Sequence, residues 1–286
     1  MKGIVLAGGT GSRLWPITRS VSKQLLPVYD KPMIYYPIST LMLAGIREIL
    51  IITTAEDQNQ FNLLLGDGSD FGIQIKYEIQ HEPKGLAQAL SIGRNFLEGE
   101  SCMMILGDNI FHGAGLGREI SKVLPQNGAH IFTYEVSNPS DYGVLRLGPE
   151  GKPESVTEKP KVYVSNLAVT GLYFFDSRAS DIADQVTPSE RGELEITSVI
   201  SEYLIRGELG FTTLSRGSAW LDTGKPESLH DAASYVRVIE DRTGLKIGCV
   251  EEIAWRNGWL TDENLAKISD KFGNSQYGKY LNGLLN

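Results

Sequence analysis

Short apolar runs alternate with longer helical patterns in the first half of the chain. Five runs have the length and composition of buried strands: GIVLA at 3–7, EILIIT at 48–53, IQIKYEI at 73–79, SCMMIL at 101–106 and HIFTYEV at 130–136. Four helical patterns lie between them, at 31–44, 57–65, 86–97 and 116–124. Strands interleaved with helices predict an α/β fold, with a Rossmann-like, mainly parallel sheet covered by helices on both faces.

The pattern changes from about residue 143 onward. The stretch GVLRLGPEGKPESVTEKP predicts a β-hairpin, because Pro149, Gly151 and Pro153 separate two short strands. Further strands are predicted in AVTGLYFFD at 168–176, in GFTTL and in SAWLD, and further helices at 177–186, 194–206 and 225–241. The tail from Glu251 onward has the pattern of short helices joined by glycine. We therefore expect an inserted hairpin with a smaller sheet region, followed by a helical C-terminal tail.

Composition narrows the class of protein. The chain has 286 residues, of which 41% are hydrophobic and 22% charged, as in soluble globular proteins with a sizeable core. A net charge of −8 argues against a nucleic-acid partner, although converging cations can still bind small phosphorylated ligands. No run approaches the ~20 apolar residues of a membrane span, and the two cysteines have no CxxC spacing. We expect a cytoplasmic protein without a membrane partner.

A glycine-rich loop follows the first predicted strand, in LAGGTGSRL at 6–14. A Walker-type loop requires a Gly-Lys pair where this chain has Arg13-Leu14. A dinucleotide fingerprint fits at Gly9 and Gly11 but has Leu14 in place of the third glycine, although Asp30 lies where a ribose-binding acid is expected. A dehydrogenase therefore stays a weaker alternative.

The pattern L-A-G-G-x-G-x-R-L fits the loop in full, and SKQLLP follows at 22–27. Consecutive small residues expose backbone N–H groups to phosphate oxygens. Arg13 adds a planar fork of donors, and Lys23 adds a mobile charge. A glycine loop alone is also typical of a tight turn, but the two cations just beyond it favour a phosphate site.

The chain resembles the sugar-1-phosphate nucleotidylyltransferases and, more narrowly, the short glucose-1-phosphate thymidylyltransferases. The resemblance extends over essentially the whole chain and rests on LAGGTGSRL, VSKQLLPVYDKPMIYYPISTLMLAGI, ILGDNIF, GVL, VTEKP, VTGLYFFD and WLDTG. It implies an α/β nucleotidyltransferase domain at 1–225, with a nucleotide-binding half at about 1–140 and a sugar-phosphate-binding half at about 141–225. Residues 226–286 would form a helical segment packed on it.

The reaction that the resemblance implies joins dTTP and α-D-glucose 1-phosphate to give dTDP-glucose and pyrophosphate. The sugar phosphate attacks the α-phosphorus in line, assisted by Mg²⁺. Because the nucleophile is already an anion, catalysis needs positioning and positive charge rather than a general base. The family also implies a homotetramer with an allosteric nucleotide site, acting first in dTDP-L-rhamnose or related dTDP-sugar synthesis. A UTP-using enzyme and a non-catalytic nucleotide-sugar-binding homologue stay as alternatives.

By the same resemblance, Asp108 and Asp222 would hold Mg²⁺; either could instead be a helix N-cap. The residues implied in catalysis are Arg13, Lys23, Asp108, Lys159 and Asp222. Those implied in nucleotide binding are Gly8, Gly9, Thr10, Gly11, Ser12, Arg13, Lys23, Gln24, Gln80, Gly85 and Asp108. Those implied in sugar-phosphate binding are Gly143, Glu158, Lys159, Val169 and Arg191. Gly85 also starts a predicted helix, the Glu158–Lys159 pair is also typical of a solvated turn, and Arg191 fits an exposed loop.

Overall fold

The computed structural model of the chain describes residues 1–123 and 127–286. Its strands are β1 (Lys2–Leu6), β2 (Pro27–Val28), β3 (Lys31–Pro32), β4 (Glu48–Thr53), β5 (Gln74–Ile79), β6 (Cys102–Leu106), β7 (Asn109–His112), β8 (Ala129–Glu135), β9 (Gly143–Leu147), β10 (Pro153–Glu158), β11 (Leu167–Phe175), β12 (Leu209–Thr213) and β13 (Ala219–Asp222). Its α-helices are α1 (Tyr35–Leu43), α2 (Gln58–Leu65), α3 (Gln88–Ile92), α4 (Arg94–Leu97), α5 (Leu116–Ser121), α6 (Ala179–Gln185), α7 (Ile196–Ile205), α8 (Pro226–Thr243), α9 (Val250–Arg256), α10 (Asp262–Phe272) and α11 (Gln276–Gly283).

The main sheet is mixed and mostly parallel. Strands β6, β1, β4 and β5 are parallel neighbours in that order, and β11 pairs antiparallel with β6. On its other side β11 pairs with β8, which pairs in parallel with β12. The hairpin of β9 and β10 joins the sheet at Ala168 of β11. Two small sheets lie outside it, β7 with β13 and β2 with β3.

Side chains of the central strands alternate between two hydrophobic clusters. Val5 of β1 lies in one cluster together with apolar residues of α1, α2, α5 and the C-terminal helices α9–α11. Ile4, on the opposite face, lies in the other cluster with residues of α3, α4, α6 and α7. Because successive side chains of a strand point to opposite faces, helices must cover both sides of this sheet. The predicted α/β fold class, including its inserted hairpin and helical tail, is confirmed.

Some predicted boundaries were wrong. The helix predicted at 31–44 begins only at Tyr35, because Lys31 precedes a proline and lies extended in β3. The helix predicted at 86–97 is divided into α3 and α4 at Gly93, where an added Cβ would lie 2.8 Å from Ile4 Cδ1 of β1. The helix predicted at 116–124 ends at Ser121, and its predicted last residue, 124, lies outside the described residues.

Strand β7 lies in a stretch for which no strand was predicted. Its partner β13 agrees with the prediction for SAWLD. Within residues 1–123 and 127–286, no helix is both long enough and apolar enough to cross a membrane.

Candidate active site

A cleft of about 500 Å³ lies at the carboxyl ends of β1 and β6. From β1 the chain continues to β4 on one side of the sheet, whereas β6 adds to the other side. This reversal of strand order leaves a crevice beyond the strand ends, which is where open α/β sheets bind ligands. The glycine loop that follows β1 and Asp108 that follows β6 are brought together here.

Most of the predicted site residues line this cleft: Gly8, Arg13, Lys23, Gln24, Asp108, Gly143, Glu158, Lys159, Val169, Arg191 and Asp222. Residues predicted for the nucleotide and residues predicted for the sugar phosphate therefore share one cavity. The remaining ones, Gly9, Thr10, Gly11, Ser12, Gln80 and Gly85, are not among its lining residues.

The glycine loop connects Gly8 to Arg13, which both line the cleft. Gly9 and Gly11 have φ angles of 97° and 58°, in the left-handed region that favours glycine. In the described part of the chain, the backbone N–H groups of Gly8 through Gly11 donate to no protein acceptor. The loop is held instead through the Gly11 carbonyl, which accepts a hydrogen bond from the Thr18 hydroxyl at 2.8 Å. Free N–H groups beside a cationic side chain form a phosphate-binding surface.

Gln80 and Gly85 lie behind the cleft wall. Gln80 is buried, and an added Cβ at Gly8 would lie 2.5 Å from its Oε1. Its Nε2 donates to Gln88 Oε1 at 2.7 Å. Gly85 has φ +128°, and an added Cβ would lie 2.4 Å from the Leu194 carbonyl oxygen. The structural role considered for Gly85 is therefore present, because only glycine allows these two backbones to cross.

The two candidate metal-binding carboxylates are brought together by the β7–β13 ribbon, the small antiparallel sheet of those two strands. Asp222 is the last residue of β13 and pairs with Asn109, the first residue of β7. Asp108 is the residue just before β7. The alternative of a helix N-cap is wrong for both: Asp108 precedes a strand, and the N-cap of α8 is Lys225.

The electrostatic environments of the two carboxyl groups differ. Burial opposes ionisation of Asp108, but the charge and hydrogen bond of Lys23 outweigh it and hold the Asp108 pKa below its usual value. Burial, together with the negative charge of Asp108, raises the pKa of Asp222 to about 6, against the opposing influence of Lys23 and Arg13. The pair thus carries unbalanced negative charge on the Asp222 side.

This donor set fits a small, hard divalent cation. Mg²⁺ is usually bound by one or two carboxylates, while substrate phosphates and water complete its coordination. Among the described residues, no group of three or more His, Cys, Asp or Glu side chains forms an all-protein metal cage. Asp108 and Asp222 would be the ligands, because a cation between them would relieve the repulsion that raises the Asp222 pKa.

At the other end of the cleft, cations and carboxylates are interleaved. Arg191 Nη1 lies 3.6 Å from Glu158 Oε1 and 3.3 Å from Glu195 Oε1, and Lys159 Nζ lies 3.8 Å from Glu158 Oε1. Burial and the negative charge of Glu195 raise the Glu158 pKa. The Thr197 hydroxyl donates to Glu158 Oε2 at 3.2 Å. The Arg191 side chain is 40% exposed in a turn, as its alternative predicted, but it contacts carboxylates of the cleft, and the Glu158 side chain is only 21% exposed.

Several lining residues were missed in the sequence: Asn109, Asp141, Tyr142, Glu195, Thr197 and Trp220. Tyr142 and Trp220 contact each other at the cleft wall with tilted rings, whose centroids lie 4.9 Å apart. Tyr142 directly precedes GVL and Trp220 is the first residue of WLDTG, so these two motifs were the signal that could have found them.

A family model described as nucleotidyl transferase matches residues 2–238, well over half of the chain. This chain belongs to the nucleotidyl transferase family. The nucleotidyltransferase is 54% identical over 286 residues to a glucose-1-phosphate thymidylyltransferase of Neisseria meningitidis, with coverage of 100% of this chain and 99% of the relative. It is 53% identical over 285 residues to the protein of that name from Mycolicibacterium smegmatis, with coverage of 100% and 99%.

Two solved structures share the fold of this nucleotidyltransferase. One is a Bacillus anthracis protein described as a glucose-1-phosphate thymidylyltransferase, in complex with a sucrose; its TM-score is 0.77 at 39% identity, covering 83% of this chain and 95% of that one. The other is a UDP-glucose pyrophosphorylase complexed with UDP-glucose, with a TM-score of 0.73 at 25% identity and coverage of 83% and 98%. The resemblance drawn from the motifs and the prediction of an enzyme are confirmed, and the dehydrogenase and non-catalytic alternatives are set aside.

Proposed function

We propose that this nucleotidyltransferase transfers dTMP from dTTP to α-D-glucose 1-phosphate, giving dTDP-glucose and pyrophosphate. The names of the full-length relatives support this activity. The observation that carries it is that one cleft is lined by Asp108 and Asp222 together with Gly8 and Arg13 of the glycine loop, Lys159 and Arg191. Groups that donate hydrogen bonds to phosphate lie at both ends of the cleft, and carboxylates lie among them. This arrangement suits a reaction between two phosphorylated substrates.

Positive charge is the main catalytic need, because both substrates are anions. Although the chain as a whole carries a charge of −8, Arg13, Lys23, Lys159 and Arg191 converge on this cleft. Arg13 forms no ion pair within the described residues, so its guanidinium is available to a substrate phosphate. We assign Arg13 and Lys23 to the triphosphate and the departing pyrophosphate, and Lys159 and Arg191 to the sugar phosphate.

Asp108 and Asp222 would hold Mg²⁺, which when bound supplies a Lewis acid to a phosphate oxygen. The protein's own part is to orient the two phosphates in line and to neutralise their charge. The sugar-phosphate oxygen then forms a bond to the α-phosphorus while the bond to the pyrophosphate oxygen breaks. No proton has to be removed from the nucleophile.

The base and the sugar would be bound by the remaining lining residues. Ser22 donates to Gln24 Oε1 at 2.9 Å, which orients the buried Gln24 amide and leaves its Nε2 donors for a pyrimidine carbonyl. Gly8, backed by Gln80, allows close approach of the base. Gly143, Glu158 and Val169 would contact the glucose, with Glu158 accepting from a hydroxyl.

UTP is the second candidate nucleotide, since a UDP-glucose pyrophosphorylase shares the fold. Thymine and uracil differ by one methyl group, which an apolar pocket distinguishes by only about 1–3 kcal/mol. From the resemblance we also infer a homo-oligomer, a tetramer with a regulatory nucleotide site, acting first in dTDP-L-rhamnose or related dTDP-sugar synthesis.

A pyrophosphate-release assay tests the proposed function. The purified chain is incubated with each of dTTP, UTP, CTP, ATP and GTP, combined with several sugar 1-phosphates and with or without Mg²⁺. We expect the largest kcat/KM for dTTP with glucose 1-phosphate, and no release without Mg²⁺. A larger value with UTP would favour the second candidate, and no release with any pair would exclude both.

A further inference from the structure

Behind the Asp108 carboxylate lies a chain of two hydrogen bonds between buried side chains. The indole Nε1–H of Trp220 donates to Asn109 Oδ1 at 2.6 Å, and Asn109 Nδ2 donates to Asp108 Oδ1 at 2.9 Å. Asn109 is 2% exposed and Trp220 is 8% exposed. The other carboxylate oxygen, Asp108 Oδ2, is contacted by Lys23. Each oxygen of Asp108 thus has its own partner.

The hydrogen-bonding chemistry of Trp220 and Asp108 determines the orientation of the Asn109 amide between them. An indole nitrogen only donates, so it requires the amide oxygen, and an ionised carboxylate only accepts, so it requires the amide NH₂. A flipped amide would place two donors together at Trp220 and two acceptors together at Asp108. Only a side chain with both functions can therefore join Trp220 to Asp108 at this position.

The backbone packs closely around these hydrogen-bonded side chains. An added Cβ at Gly171 of β11 would lie 2.6 Å from Asn109 Oδ1. The Asp108 carbonyl is held from the end of β13, because the backbone N–H and the hydroxyl of Thr223 donate to it at 3.1 and 2.7 Å. Strand β13 thus constrains Asp108 through both its side chain and its main chain.

We propose that Asn109 and Trp220 are positioning residues that fix the rotation of the Asp108 carboxylate for the divalent cation. The proposal rests on the role given above to Asp108. A carboxylate held at one oxygen by a neutral donor keeps its orientation without losing negative charge, so a divalent cation would be bound at Oδ2, in exchange for the Lys23 ammonium that contacts that oxygen here. Partners of this kind beyond the metal ligands typically change metal affinity or activity about 10–100-fold when mutated.

Three variants of the full chain test the proposal: Asn109→Ala, Trp220→Phe and the double variant. Trp220→Phe removes the indole N–H and keeps an aromatic ring against Tyr142. Trp255→Phe is the matched control, because the Trp255 indole also donates, at 2.7 Å, to the exposed Asp262 away from the cleft. Thermal unfolding of each variant checks that the fold is retained.

The first readout is the hydrogen bond itself, measured by ¹H–¹⁵N NMR of the indole groups. The Trp220 cross-peak is assigned by its loss in Trp220→Phe. In Asn109→Ala we expect it to move upfield and to exchange faster with water, whereas the other indole cross-peaks stay in place. An unchanged Trp220 cross-peak in Asn109→Ala would overturn the proposed contact.

The second readout is cation binding, measured by Mn²⁺ titration with electron paramagnetic resonance and by the Mg²⁺ concentration that half-saturates turnover. We expect Asn109→Ala to raise the Mn²⁺ dissociation constant and the half-saturating Mg²⁺ concentration about 10–100-fold. Trp220→Phe should raise the same two quantities about 2–12-fold, the scale of one neutral hydrogen bond. Because Trp220 acts through Asn109, the double variant should bind the cation no more weakly than Asn109→Ala alone. Fully additive effects, or unchanged cation binding in both single variants, would overturn the proposal.

Failure of this proposal differs from failure of the proposed function. If the wild-type chain turns over with Mg²⁺ while the Asn109 and Trp220 variants keep its cation dependence, only the positioning role is overturned. If Asp108→Asn binds Mn²⁺ as the wild type does, the metal role of Asp108 is wrong, and the positioning proposal falls with it. If no nucleotide and sugar phosphate react in the wild type, the proposed function itself is wrong.

Discussion

Lys23 contacts Asp108 across the cleft, so that a residue from the segment after the glycine loop pairs with the carboxylate that follows β6. The Lys23 side chain is 12% exposed and the Asp108 side chain 15% exposed, so water screens their attraction only weakly. This ion pair joins the candidate phosphate site to the candidate metal site. A change at Lys23 should therefore alter the ionisation of Asp108 and the binding of the nucleotide.

Lys23→Met removes this charge and keeps most of the side-chain volume. We expect kcat/KM for dTTP to fall roughly 100-fold or more, the scale for loss of one preorganised electrostatic partner. Steady-state kinetics with varied dTTP measure it, and Lys267→Met on the exposed face of α10 is the control. A value within twofold of the wild type would remove Lys23 from the nucleotide site.

Lys159→Ala should weaken binding of the sugar phosphate far more than binding of the nucleotide. Lys159 lines the end of the cleft that contains Glu158 and Arg191. We expect the KM for glucose 1-phosphate to rise about 10-fold or more, as for loss of a charge-assisted contact, with the KM for dTTP little changed. The exposed neighbour Lys161 provides the control variant Lys161→Ala. Equal loss of affinity for both substrates would contradict the assignment.

The raised pKa of Asp222, about 6, leads to a prediction about stability and pH. A carboxyl group whose pKa is raised in the folded protein destabilises the fold where it is ionised, and this penalty shrinks as the pH falls from the folded pKa towards the lower pKa of the unfolded chain. Without divalent cation, Asp222→Asn should therefore be more stable than the wild type at pH 7. The difference should shrink between pH 7 and pH 5.

Thermal unfolding in EDTA across that pH range measures the effect. The same series with excess Mg²⁺ is the companion experiment, in which ligand binding should stabilise the wild type but not the variant. A wild type that is more stable than Asp222→Asn at pH 7 in EDTA would show that Asp222 is not destabilising when ionised.

Gly85→Ala should destabilise the fold by about 1–3 kcal/mol, the scale of backbone strain at a non-glycine residue. The added Cβ would meet the backbone of Leu194 where the two segments cross. Urea unfolding measures the change. Gly283→Ala near the end of α11, where an added Cβ meets nothing within 4 Å, should leave stability nearly unchanged. Equal midpoints for the two variants would argue against the crossing as the reason for glycine at 85.

The strands of the main sheet could be predicted because buried parallel strands are apolar along their whole length, as in EILIIT at 48–53, which matches β4 residue for residue. Strand β7 could not, because NIFH becomes a strand only through its pairing with β13. The close approach of Gly93 to Ile4 of β1 joins residues far apart in sequence. Local patterns carry no information about such contacts.

The residues of the candidate site also differ in whether the sequence could predict them. Arg13, Lys23 and Asp108 stand within or beside recognisable motifs and could be found by reading along the chain. The hydrogen bond from Trp220 to Asn109 joins residues 111 positions apart, and neither side chain is charged. Their relationship exists only once β7 and β13 have paired.

The register of the β7–β13 ribbon also sets the spacing of the two carboxylates. Four residue pairs, from Ala219 with His112 to Asp222 with Asn109, fix that register. A slip of one residue would turn Asp222 toward the opposite face of the ribbon. Changes of length in the surface loops between residues 113 and 218 would leave this register unchanged. The spacing of Asp108 and Asp222 is therefore set separately from the segments that carry Lys159 and Arg191.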